Sequence, residues 1–143
     1  MEVAIRPYAA SDSDAVTAIW LASWQSTGVP SPVTLADLRE RWPKELAKGW
    51  QVHVATSGPE VIGFCAVDGD TLEQLFIAPA HQSRGVGKRM LDFVKSCRPG
   101  GFKLHTALNT RAPNFYDREG LTRGELGINP RFGHPIVHYA WDP

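Results

Sequence analysis

Residues 71–108 constrain the fold most. Residues 71–78, Thr-Leu-Glu-Gln-Leu-Phe-Ile-Ala, read as a strand that Pro79 stops. Gly85 and Gly87 follow, and from about residue 84 to residue 97 the positions Val86, Met90, Phe93, Val94 and Cys97 trace one face of a helix. Arg98-Pro99-Gly100-Gly101 ends that helix, and residues 102–108 read as a second strand. Two strands of one sheet joined by a crossover helix run parallel. A fold for this chain must therefore hold a parallel pair with a glycine-rich turn beyond its first strand.

The remaining elements follow from periodicity and turn chemistry. Residues 3–8 form a short first strand, and Ser11-Asp12-Ser13-Asp14 has the pattern of a capping box. Val16, Ile19, Trp20 and Ser23/Trp24 then recur at helical spacing up to Gly28. Thr34, with Asp37 three residues on, starts a second helix with the stripe Leu35, Leu38 and Trp42, which Pro43 should break or kink. Residues 50–57 alternate Val52 and Val54 against His53, and residues 61–67 are apolar and close on the hairpin turn Asp68-Gly69-Asp70. Residues 112–119 suit a short helix with Gly120 as its C-cap, and residues 134–141 suit a last strand. The order is strand, two helices, three strands, helix, strand, helix, strand. It predicts one α/β (α+β) domain over residues 1–143, a mixed, mainly antiparallel sheet with flanking helices.

Composition narrows the function. Fifteen Lys and Arg balance fifteen Asp and Glu, which argues against a nucleic-acid partner. The two cysteines, Cys65 and Cys97, stand apart among apolar neighbours and are expected to be buried thiols in a reducing cytoplasm. The first residues lack the pattern of a signal peptide, and the most apolar run, residues 15–24, is too short to span a bilayer. The expectation is a cytoplasmic protein without a membrane partner. No His, Cys, Asp or Glu cluster has metal-ligand spacing, and no Ser-His-Asp or Cys-His pattern offers a covalent nucleophile.

Gln82-Ser83-Arg84-Gly85-Val86-Gly87-Lys88 has the look of a phosphate-binding turn. It fails as a Walker loop, because Gln82 stands where the first glycine should be and Arg89 where the hydroxyl should be. It fails as a dinucleotide fingerprint, because Met90 replaces the last small residue. Gln-x-x-Gly-x-Gly remains, after a strand and opening a helix.

With Leu75-Phe76-Ile77-Ala78-Pro79 before it, and Asn109-Thr110-Arg111-Ala112-Pro113-Asn114-Phe115-Tyr116 and Gly120-Leu121 after, the chain resembles the GNAT superfamily of acyl-CoA-dependent N-acetyltransferases. The resemblance spans nearly the whole chain and is weakest at residues 122–133. It implies that the parallel pair splays, and that the backbone of Leu75, Phe76 and Ile77 receives the pantetheine arm of acetyl-CoA. It further implies that Gln82, Ser83, Arg84, Gly85, Val86, Gly87 and Lys88 surround the pyrophosphate, with Asn109 and Asn114 as further contacts. Tyr116 then stands where the family places the acid that protonates the CoA thiolate. Glu73 is the leading candidate for the base, with a water chain or His53, His105 or His138 as alternatives; His81 falls at the rim of the loop.

The implied reaction is direct transfer of acetyl from acetyl-CoA to a primary amine of a small molecule, with no metal and no covalent enzyme intermediate. A peptide or protein amine is the alternative acceptor, and a non-catalytic acyl-CoA-binding or sensing module is the alternative function. The family is often dimeric, but no homodimer interface is legible in these residues. Trp20, Trp24 and Trp42 lie in the first two helices, which in the family cover the acceptor side.

Overall fold

The computed structural model describes residues 2–143. Seven strands and four helices run in the order β1 (Ala4–Pro7), α1 (Ser13–Ser26), α2 (Leu35–Lys48), β2 (Gln51–Ser57), β3 (Glu60–Asp68), β4 (Thr71–Ile77), α3 (Val86–Cys97), β5 (Phe102–Ala107), α4 (Ala112–Arg118), β6 (Thr122–Ile128) and β7 (Pro135–Trp141). They form one sheet of order β1-β2-β3-β4-β5-β7-β6. All neighbours are antiparallel except β4 and β5.

Two apolar layers hold the helices to the sheet. Val16, Ile19 and Trp20 of α1 and Leu38 and Trp42 of α2 pack with Trp50, Val54 and Phe64 on one face. Val86, Met90, Leu91 and Val94 of α3 and Tyr116 of α4 pack with Ile62, Cys65, Leu104 and Val137 on the other. The helices thus flank the sheet on both sides, and α1 is further tied down by a buried hydrogen bond from Ser23 Oγ to the Ile77 carbonyl, 2.9 Å long.

Four expectations change. β6 was not legible, and it extends the sheet as an edge strand beside β7. Helix α2 runs through Pro43 to Lys48, because the ring lies on the exposed face and water can satisfy the carbonyl that loses its N–H partner. Thr34 and Asp37 do form a capping box, with Asp37 N–H to Thr34 Oγ1 at 3.2 Å and Thr34 N–H to Asp37 Oδ2 at 2.9 Å. Asp12 instead accepts the Ala9 N–H and pairs with Arg6 through both oxygens, at 2.8 and 2.9 Å, so the four-residue pattern at 11–14 is not a capping box for α1. Cys97 is exposed at the end of α3, whereas Cys65 is buried and desolvation pushes its thiol up to about 12.

The β4–β5 pair positions the site. Among the described residues it has a single register pair, Thr71 with Lys103, beside a Lys103 N–H to Asp70 carbonyl bond of 2.8 Å. Beyond that rung the strands diverge, as the resemblance implied. The gap between their carboxyl ends opens into a cleft of about 1100 Å³. A second irregularity lies in β4 itself. Val67 pairs with Leu72 and Ala66 with Gln74, so Glu73 is the extra residue of a β-bulge. Leu72 and Leu75 both reach the α3 layer, and the bulge turns Glu73 toward Arg41 and Glu45 of α2; Glu73, Gln74 and Arg41 line the cleft, whereas Glu45 does not.

Candidate active site

One end of the cleft is a backbone cradle. After β4, a 3-10 turn at Pro79–His81 leads into the loop, where Ser83 takes φ +64° and Gly85 φ +81°. Ser83 is the one non-glycine residue with positive φ among those described. Such alternation folds successive amides into a concave nest suited to an anion. Main-chain bonding pauses between the Gln82 N–H, which reaches the Pro79 carbonyl, and the Arg89 N–H, which reaches Gly85 at 3.1 Å. The N–H groups of residues 86–88 are the unpaired first-turn donors of α3, and the helix dipole adds to their pull on an anion.

The glycines of the loop have distinct uses. A Cβ at Gly87 would meet Phe115 at 3.5 Å, an ordinary contact, so the fold itself does not demand glycine there. What glycine preserves is open space over the amides. Gln82 shapes the rim by donating from Nε2 to the Ile77 carbonyl at 3.0 Å and accepting from Arg111 at 2.9 Å.

Most of the expected contact residues do line the cleft. Leu75, Phe76, Ile77, Gln82, Ser83, Gly85, Gly87, Lys88, Asn109, Asn114, Tyr116 and Glu73 all face it. Arg84 and Val86 do not: Arg84 is exposed, and Val86 buries its side chain in the core, leaving only its N–H to the cradle. Lys88 pairs with Asp92 at 3.0 Å and Glu119 at 3.4 Å, so part of its charge is spent within the protein. Asn114 sits inside α4 and does not cap it; Thr110 Oγ1 accepts the Ala112 N–H at 3.3 Å instead.

The pairing parity of β4 decides which backbone groups are free. The Ala78 N–H bonds the Ile62 carbonyl at 2.8 Å, which makes Gly63–Ile77 a non-hydrogen-bonded pair and Phe64–Phe76 a hydrogen-bonded one. The amides of Leu75 and Ile77 therefore face the gap toward β5, whereas those of Phe76 face β3. The Ile77 carbonyl is already taken by Ser23 and Gln82. Leu75, and the N–H of Ile77, are left as strand-edge groups.

Two candidate acid–base side chains line the cleft. Tyr116 is 6% exposed and packs against Phe115 and Tyr139. Burial, and then the neighbouring Tyr139, hold its phenol above the ordinary tyrosine range, so it stays protonated at neutral pH. Glu73, aimed by the bulge, has its carboxyl raised first by desolvation and then by Asp68 and Glu45, with Arg41 acting against them. Of the alternative bases, His105 lines the cleft and desolvation lowers its proton affinity. His53 packs on Phe93, His81 pairs with Glu60 at 3.0 Å, and His138 faces His105 across the strands; none of these three lines the cleft.

Of the three tryptophans of the first two helices, Trp20 and Trp24 line the cleft and Trp42 does not. Sequence reasoning missed the rest of the far wall, where Arg41 of α2 and Arg131, Phe132 and His134 of the β6–β7 loop converge with Trp24 of α1. Trp24, Phe132 and His134 form an aromatic group with centroids 5.1 to 6.4 Å apart. Arg41 lies over the rings of Trp20 and Trp50 at 5.1 and 5.8 Å. These residues come from three distant segments, and no local pattern joins them. At the cradle end Arg111 and Arg118 also line the cleft. Among the described residues no group of three or more His, Cys, Asp or Glu is placed to hold a metal ion, and no helix is long and apolar enough to cross a membrane.

A mixed sheet opened between two parallel strands, with an amide cradle at the start of the crossover helix, is the architecture of an acyl-CoA-dependent transferase. The family described as "Acetyltransferase (GNAT) domain" matches residues 48–122, and the chain belongs to it; it is an acyltransferase of the GNAT type. Peptidyl-lysine N-acetyltransferase YjaB of Salmonella typhimurium is 27% identical over 122 residues, covering 85% of this chain and 84% of that one. A GCN5-related N-acetyltransferase from Rhodopseudomonas palustris superposes with a TM-score of 0.86 at 18% identity, covering 100% of this chain and 97% of its own. The paia N-acetyltransferase of Thermoplasma acidophilum, solved in complex with coenzyme A, gives 0.74 at 18% identity, covering 99% and 100%.

Proposed function

We propose that this protein moves an acetyl group from acetyl-CoA to the primary amine of a small molecule by direct attack. The observation that carries the reading is the run of free amides at the mouth of the splayed β4–β5 pair, continuous with Tyr116 and Glu73 on the same cleft. The amides of residues 83–88 hold the pyrophosphate, and Lys88, Arg111 and Arg118 add positive charge around it. The strand-edge groups of Leu75 and Ile77 take the pantetheine arm, and Asn109 and Asn114 flank it. A free N–H on that edge also stabilises charge on the thioester oxygen.

Glu73 accepts the proton that the amine loses as its nitrogen bonds the carbonyl carbon. Tyr116 supplies a proton to the sulfur as the carbon–sulfur bond breaks, and exchange with solvent restores both groups. The surroundings suit each role: burial keeps the phenol protonated, and partial desolvation beside Asp68 and Glu45 makes the exposed Glu73 carboxylate a stronger base than a fully solvated one. Neither step requires a metal or a covalent enzyme intermediate. The chain acts as one domain in the cytoplasm.

A peptidyl-lysine acceptor is the second reading, favoured by the name of the YjaB relative. The far wall favours the first: Trp24, Phe132 and His134 group their rings there, beside Arg41 and Arg131 on the same cleft. The test is calorimetric titration with acetyl-CoA, followed by CoA thiol release against small amines and lysine peptides. Turnover with small amines is expected. Tight acetyl-CoA binding without turnover of any amine would instead make the protein a sensor.

A further inference from the structure

The acceptor end of the cleft is chemically lopsided. Glu73 is the sole carboxylate among the described residues lining the cleft, against Arg41, Lys88, Arg111, Arg118 and Arg131. Three of those cations belong to the cradle end: Lys88 pairs with Asp92 and Glu119, Arg118 with Glu119 at 3.8 Å, and Arg111 bonds Gln82. Arg41 and Arg131 remain at the other end with Glu73. None of the ion pairs among the described residues involves Arg131. Arg41 has only Glu45, at 3.8 Å, too long for a hydrogen bond.

The same wall holds a second anomaly. Among the described residues, four buried side-chain atoms lack any hydrogen-bond partner, and three of them, Trp24 Nε1, Arg41 Nε and His134 Nδ1, belong to cleft-lining residues. Buried polar groups are seldom left unpaired, so a cluster of them calls for a cause. Indole and guanidinium N–H groups can only donate. The guanidiniums of Arg41 and Arg131, neither held closely by a carboxylate, suit an oxygen-rich anion, whereas a second ammonium group would meet like charge.

We infer that the acceptor carries a carboxylate as well as its amine, and that Arg131 and Arg41 bind that carboxylate. The inference rests on the transfer reading above. It names the substrate class as small amino acids: Glu73 draws the amino group, the two guanidiniums draw the carboxylate, and Trp24, Phe132 and His134 pack the body between them. Polyamines and aminoglycoside-like polycations are excluded by the same charges. Arg41 is held by Trp20 and Trp50 and sets the floor of the subsite, whereas Arg131 stands exposed on its loop and closes it.

The test separates acceptor binding from turnover. Protein saturated with CoA is titrated calorimetrically with aromatic and aliphatic amino acids, each against its own amide and its decarboxylated amine. The acids should bind about ten- to a hundredfold more tightly, the range for a charge-assisted hydrogen bond. Arg131→Ala should remove most of that preference, Arg131→Lys should keep part of it, and Arg131→Glu should reverse it, all with unchanged melting temperature. Equal or tighter binding of the neutral amines, a preference that survives Arg131→Ala and Arg131→Glu, or binding of acidic peptides alone would overturn the inference. Thiol release from acetyl-CoA is measured in parallel. Preferred binding of acids without thiol release would overturn the transfer reading and uphold this subsite; unselective turnover of neutral amines would do the opposite.

Discussion

Ser23 Oγ donates to the carbonyl of Ile77 across 2.9 Å, joining α1 to the end of β4 over 54 residues of sequence. The bond is buried, and the same carbonyl also accepts from Gln82 Nε2. It therefore fixes both α1 and the cleft edge of β4. Ser23→Ala should cost about 1 kcal/mol, the low end for a lost buried hydrogen bond because Gln82 still serves the carbonyl. Denaturant unfolding measures that loss, and steady-state kinetics should show a raised KM for acetyl-CoA with kcat less affected.

Tyr116→Phe removes one oxygen and keeps the ring that packs on Tyr139. If the phenol supplies the proton to the thiolate, kcat should fall by about 100-fold or more while acetyl-CoA affinity stays within a few-fold. Calorimetry and initial rates on one preparation decide it. A wild-type rate would remove the acid role.

Glu73 gives a pH prediction with a definite sign. Its carboxyl lies above the ordinary range in the folded protein, so activity should climb as pH rises through that raised value and the base ionises. Glu73→Gln should abolish that rising limb and leave only the limb due to ionisation of the amine substrate. Stability should move the other way. A folded-state value raised above the unfolded one contributes stability at low pH that is lost as pH rises through the folded value. The charged carboxylate is thus unfavourable at neutral pH, and Glu73→Gln should be at least as stable as wild type there. Loss of rate without loss of melting temperature distinguishes a base from a structural carboxylate.

Gly87 separates ligand space from fold space. Its Cβ would touch Phe115 at an ordinary 3.5 Å, so Gly87→Ala should fold with little change in melting temperature yet bind CoA more weakly. Gly87→Glu, adding charge against the pyrophosphate, should abolish binding. Unchanged CoA affinity in both variants would move the cradle elsewhere.

Gly63 makes the opposite case. A Cβ there would lie 2.9 Å from the Phe76 carbonyl oxygen and 2.7 Å from Ile77 Cδ1. The methyl of Ile77 can swing aside, but the backbone of β4 must shift. Gly63→Ala should lose about 1–3 kcal/mol, the usual range for overpacking, and should also weaken acetyl-CoA binding because β4 carries the cleft edge. Chemical denaturation and calorimetry check the two effects together.

The core elements were legible because their residues repeat at the right period. Val86 and Met90 place α3 without any knowledge of the sheet, and Thr34 with Asp37 places the start of α2. β6 was not legible because Thr122–Ile128 is an exposed edge strand; Leu126 and Ile128 are 66% and 64% exposed, and no buried stripe marks it. Cys97 was misjudged because helical spacing alone did not show where α3 leaves the sheet. Glu73 could be proposed from its strand, but its direction comes from a bulge, which depends on pairing with β3 rather than on β4's own residues. The far wall was least accessible of all. Arg41 and Arg131 are separated by 90 positions of ordinary surface-like sequence, and only the folded chain makes them neighbours.

Thr71 and Lys103 supply the one rung between β4 and β5 among the described residues, and that has a mechanical meaning. The sheet is two leaves on a hinge, four strands on one side and three on the other, each laced within itself. In the transfer reading the donor's arm slides between the leaves and acts as a temporary eighth strand. Heat resistance should then track donor concentration, and amide exchange along the inner margins of both leaves should slow together when the donor binds. The protein would complete its own sheet only while holding the group it is about to give away.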